Sequence, residues 1–219
     1  MRKSAELRSG TVPPVKISLA SVRAALEGRA YRPATLRGDE RFAAVAAVLR
    51  ERNGEAEVLL IRRAEHPADP WSGHMAFPGG RSDPTDPDLL QTAVRETDEE
   101  VGLTLSRDAH LIGRLDDLPA FARGQSVDLV IAVFVFGVTG DPALVPNEAE
   151  VTETVWTKVA ALASGERDTT FPYRYEDRDV SLPAYDVEGR IVWGLTHRML
   201  GTLFEVLDGT SRARYESSS

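Results

Sequence analysis

Residues 77–103, FPGGRSDPTDPDLLQTAVRETDEEVGL, set a two-glycine loop ahead of a helix-like run crowded with acids. Glu96, Glu99 and Glu100 are spaced three and four positions apart, so they project to one side of a helix. Leu90, Val94, Thr97 and Val101 recur at helical intervals on the other side and give it a face to bury, and Gly102 is placed to end it. Like charges at that spacing repel, and a solvated helix gains nothing from them unless a cation sits among them. Oxygen-only ligands suit a hard cation such as Mg²⁺, which a few carboxylates hold together with phosphate oxygens of a substrate. The chemistry indicated is metal-assisted attack of water on a phosphate ester or anhydride. Taken alone, the charge run is more often a solvated acidic face.

The rest of the chain limits the partners. A length of 219 residues suffices for one domain with appended segments, and no apolar run is long enough to cross a bilayer. A net charge of -8 argues against a general nucleic-acid binder, which needs a basic stripe to neutralise phosphates. A small phosphorylated substrate is compatible, because divalent cations reverse the local field where they bind. The absence of cysteine removes disulfides, thiolate metal sites and a cysteine nucleophile together. The N-terminus lacks the apolar core of a secretory signal, which leaves the cytoplasm as the expected location.

Residues 1–40 read as an N-terminal extension whose short helix, 18–28, turns Leu19, Val22 and Leu26 to one side. Residues 42–49 and 58–61 read as a hairpin closed at Asn53-Gly54. Residues 110–118 and 127–138 read as further strands, 169–175 and 180–185 as a strand pair, and 159–164 and 191–207 as helices. The result is an α/β chain of the α+β type, with a mixed sheet flanked by helices over 41–209 and a flexible tail at 210–219. Arg62, Arg63 and Arg81 border the glycines and are candidates to meet phosphates. Trp71 reads either as a stacking surface for a base or as half-buried packing, and His66 and His74 as loop polar residues.

Gly80 followed by Arg95-Glu96-Thr97-Asp98-Glu99-Glu100-Val101-Gly102-Leu103 resembles the Nudix box, G-x5-E-x7-R-E-U-x-E-E-x-G-U, where U is aliphatic. Two departures stand out. Thr97 occupies an aliphatic position, and the loop is one residue longer than the pattern, so the early glutamate falls on Asp86 counted from Gly80 or Pro87 counted from Arg95. The resemblance implies the Nudix fold, a mixed sheet sandwiched between helices. It also implies hydrolysis of a pyrophosphate bond with Mg²⁺ or Mn²⁺ held by Glu96, Glu99 and Glu100. Arg95 would orient a glutamate, and a carbonyl at Gly79 or Gly80 would join the metal shell. A later loop often adds a glutamate; Glu148, Glu150 and Glu153 are eligible, with Glu150 the choice.

Within the superfamily, Leu59, Leu60, Arg63, Ala64, Gly73 and Phe77-Pro78-Gly79-Gly80 are similar to the coenzyme A pyrophosphatase signature L-L-T-x-R-[SA]-x3-R-x3-G-x3-F-P-G-G. Val192-Trp193-Gly194-Leu195-Thr196 is similar to the V-W-G-M-T of that group. Ile61 replaces the threonine, the stretch between Ala64 and Gly73 is one residue longer than the signature, and Asp69 stands at the second arginine position counted back from Gly73. If that arginine reads a 3′-phosphate, this chain lacks the contact. The expected substrate is a small nucleoside diphosphate derivative, coenzyme A or a relative first. The alternatives are ADP-ribose, a nucleotide sugar or a nucleoside triphosphate, or binding without catalysis as a sensor. No nucleic acid or membrane partner is expected, and a homodimer is left open.

Overall fold

The two most apolar runs meet at the centre of one sheet. In the computed structural model, which describes residues 16–36, 41–66, 71–122, 125–175 and 178–209, β1 (Arg41–Arg52) runs parallel to β7 (Gln125–Val138). β2 (Glu55–Arg63) returns antiparallel to β1 through Asn53 and Gly54, both at positive φ (54° and 76°), the twist a two-residue hairpin turn requires. β8 (Val151–Lys158) and β3 (Met75–Ala76) pair with β2, and β4 (Gly79–Arg81) pairs with β1. β5 (Ala109–Arg114) and β6 (Leu118–Ala122) lie along β7 and complete an eight-stranded mixed sheet. β9 (Asp168–Tyr175), β10 (Arg178–Val187) and β11 (Arg190–Trp193) form a second, antiparallel sheet.

Successive residues of a strand face opposite ways, and β1 uses both faces. Ala44, Ala46 and Val48 pack with Ala93 and Val101 of α2 (Leu89–Val101) and Leu105 of α3 (Leu105–Asp108). Ala43, Val45, Ala47 and Leu49 join a larger core on the other face. That core takes in Val22 and Leu26 of α1 (Leu19–Leu26), Leu162 of α4 (Val159–Ala163), and Leu200 and Leu203 of α5 (Gly194–Asp208). The mixed sheet therefore lies between helices, as read from the sequence. Each fully buried leucine of this kind contributes about 1.5–3 kcal/mol.

α2 is bounded by local chemistry. The Asp88 side chain accepts from the Gln91 N–H at 2.8 Å, and Gly102 closes the helix in the left-handed region at φ 67°. Thr97 is fully buried at its aliphatic position, its hydroxyl satisfied by donating to the Ala93 carbonyl at 2.7 Å.

Several boundaries differ from the sequence reading. Residues 110–118 are not one strand: between β5 and β6 the chain leaves the ladder so that Asp116 can receive Arg29 and Arg32. Residues 191–207 are not one helix either; the first three extend β11, and the helix starts at Gly194, whose φ of 62° makes the corner. The stretch 146–156 turns at 148–150 and then becomes β8. Asp69 and the tail 210–219 lie outside the described residues.

Candidate active site

The glycine segment and α2 are built around each other. The Gly79 N–H donates to Glu100 Oε2 at 2.8 Å, and Gly79 sits at φ 145° with the Ala44 carbonyl where a side chain would be. At Gly80 an added Cβ would overlap the Glu96 carboxylate. One glycine thus donates to a glutamate and the other leaves room for its neighbour, which gives the FPGG run a physical reason.

Glu96 and Glu100 face a cavity of about 550 Å³ together with Arg63, Gly79, Gly80, Arg81 and Glu150. Glu100 is 3% exposed, and burial pushes its carboxyl up to about 8, against the pull of the Gly79 N–H and of Arg63, whose guanidinium lies 3.6 Å away. Burial also raises Glu96, while Arg95 opposes the rise. Two carboxylates desolvated side by side are costly unless a cation neutralises them.

Arg95 is the hub of the box. Its guanidinium forks onto both oxygens of Asp86 at 2.9 Å and also reaches Glu96 and Glu99, each at 2.9 Å. Thr92 donates to the same Asp86 carboxylate at 2.8 Å. Of the two residues at the early acidic position, Asp86 is thus the one that meets the helix. Its carboxyl is held well below the usual range, chiefly by Arg95.

The predicted site residues divide. Glu96, Glu100, Glu150, Gly80, Arg63 and Arg81 converge on the cavity. Glu99 is half exposed, outside the cavity lining, and tied to Arg95. Arg62 also points elsewhere and pairs loosely with Glu153 at 3.9 Å. Among the described residues no three carboxylate or imidazole groups form a complete metal cage. Two carboxylates nevertheless fit an Mg²⁺ or Mn²⁺ site, because such ions take only one or two from the protein and complete the shell with water and phosphate oxygens.

A sequence model described as the NUDIX domain matches residues 40–177. The chain belongs to the Nudix hydrolase family. It is 31% identical over 145 residues to the uncharacterized Nudix hydrolase NudL of Yersinia pestis (strain Pestoides F), covering 65% of this chain and 68% of that one. It is 43% identical over 114 residues to the uncharacterized protein C14C4.10c of Schizosaccharomyces pombe (strain 972 / ATCC 24843), covering 51% of this chain but only 35% of that protein. The crystal structure of a MutT/nudix family protein from Enterococcus faecalis aligns over 88% of this chain and 70% of that chain, with a TM-score of 0.53 at 17% identity, a likeness of fold alone. In this Nudix chain the sequence pattern did not single out the Gly79 N–H, visible only in the backbone path. The wall around Trp193 and Thr196, beyond the Nudix match, carries the run 192–196 that the sequence did offer.

Proposed function

We propose that this Nudix protein hydrolyses the pyrophosphate bond of a nucleoside diphosphate linked to another moiety, with coenzyme A or a derivative as the first substrate to test. The observation that carries this reading is the meeting of Glu96 and Glu100 with the Gly79-Gly80 backbone and Arg63 and Arg81 in one cavity. Glu96 and Glu100 would hold Mg²⁺ or Mn²⁺, with Gly80 and Glu150 at its margin and Glu99 completing the set on reorientation of its exposed side chain. When bound, the cation neutralises the diphosphate and lowers the pKa of an attacking water. Arg63 and Arg81 would orient the phosphates, and Arg95, fixed on Asp86, would hold Glu96 in place. The catalytic unit in this reading is 41–209, with 1–40 as an extension bracing it through α1 and 210–219 as a tail.

One observation favours a second substrate. If the second arginine of the coenzyme A signature reads the 3′-phosphate, Asp69 at that position in the sequence replaces the contact with a negative charge, which favours ADP-ribose and similar diphosphates without a 3′-phosphate. The intact R-E-x-x-E-E speaks against a pure sensor.

The test is a substrate panel of coenzyme A, acyl derivatives, 3′-dephospho-coenzyme A, ADP-ribose, nucleotide sugars and triphosphates, run with Mg²⁺ and again with excess chelator. Turnover should vanish with chelator and fall at least about 100-fold in Glu100→Gln, the scale of losing an electrostatic contact to the reacting group. Hydrolysis that survives both treatments would sink the metal reading, and a dephospho preference would select the second substrate class.

A further inference from the structure

The cavity has a second wall that the diphosphate chemistry leaves unused. Trp193, at the end of β11, lines it with Trp71 and His74. Behind Trp193 the ring of Phe171 stacks at 4.3 Å and an interplanar angle of 17°, and Tyr173 leans on it at 5.5 Å. His74 tilts against the same indole at 4.7 Å. The aromatic platform is also pinned at its base. Trp193 pairs with Ala184 of β10, the Thr196 hydroxyl donates to the Met75 carbonyl at 2.9 Å, and Arg190 forks onto Glu153 of β8.

Resting on the nucleoside diphosphate reading of this same site, we propose that Trp193 is the platform on which the flat base of the nucleoside stacks, making this wall the base-recognition surface of the enzyme. Three observations carry it. An indole held by ring neighbours and a strand is rigid before any ligand arrives, so little ordering entropy opposes stacking. A flexible apolar chain would be served as well by the aliphatic wall of Leu129, Ile131, Leu195 and Met199 and has no use for a fixed ring. The volume, about 550 Å³, accommodates a nucleotide-sized ligand with its phosphates among the arginines.

Binding of adenosine, which lacks phosphate and needs no cation, is measured by calorimetry in chelator, with ribose as the control without a base. Wild type should bind adenosine and not ribose; Trp193→Ala should weaken adenosine at least about 10-fold, and Trp193→Phe should stay within about 3-fold of wild type. Equal binding of adenosine and ribose, no adenosine binding, or an unchanged affinity in Trp193→Ala overturns the proposal. Should Trp193→Ala not fold, Trp71→Phe/Trp156→Phe leaves Trp193 as the single indole of the three. Its emission must respond to saturating adenosine and not to ribose, and a silent indole overturns the proposal. Base-dependent binding without turnover of any compound in the panel supports the platform while sinking the hydrolase reading; turnover with no base discrimination does the reverse.

Discussion

Gly79 and Gly80 are neighbours with different tasks, and substitutions separate them. At Gly79 a Cβ would meet the backbone of Ala44 and Val45, which cannot move aside, at a φ that disfavours side chains. Gly79→Ala should therefore lower stability by about 1–3 kcal/mol, read as a reduced midpoint in urea. At Gly80 the clash is with the Glu96 carboxylate, the end of a flexible side chain. Gly80→Ala should keep most of its stability and lose on the order of 100-fold in kcat, because Glu96 is displaced. A Gly80→Ala protein that turns over like wild type would show that Glu96 need not sit where it does. Much of this centre was legible in the sequence: the charge run and Gly102 announce α2 and the faces of its acids. The separation of Glu99 from Glu96 and Glu100 was not, since a helical pattern gives angles but not what stands opposite. Arg95, four residues before Glu99, draws it outward, and the glycine backbone draws Glu100 inward.

Among the elements, the loop before α2 shows how a one-residue insertion is absorbed. Counting leaves Asp86 and Pro87 level, whereas only a carboxylate can receive a forked guanidinium. The loop closes on itself as Asp83 accepts from Thr85 and Asp86 receives Thr92 and Arg95. Asp86→Asn should cost about 1–3 kcal/mol by stripping charge from a nearly buried partner, and should lower kcat more than it raises KM because Arg95 loses its anchor. Equal stability of mutant and wild type in urea would refute the anchoring role. The long apolar strands β1 and β7 were legible because burial on both faces leaves a continuous hydrophobic run. The short β3, β4 and β11 were not, being held by neighbours distant in sequence rather than by their own pattern.

At the scale of the whole molecule, the Asp116 carboxylate is where two arginines of the segment before β1 meet the domain. Asp116 receives Arg29 at 2.6 Å and both the backbone N–H and the guanidinium of Arg32, at 2.9 and 2.7 Å. Burial by itself would raise its pKa, but the Arg32 N–H and the two guanidiniums outweigh that and hold it below the ordinary value of 3.8. A group whose folded pKa is depressed adds stability above its unfolded pKa and loses it as the pH falls through the folded value. The tie should therefore be fully present at neutral pH and fade below about pH 4. Asp116→Asn should cost about 1–3 kcal/mol in urea at pH 7, with Arg32, largely exposed, supplying the smaller share of the ion pairing. At pH 3 the gap between mutant and wild type should narrow. A gap that stays constant across that range would mean that the core packing of Val22 and Leu26 and the bonds to Asp117, and not the charge on Asp116, join α1 and its connector to the sheet.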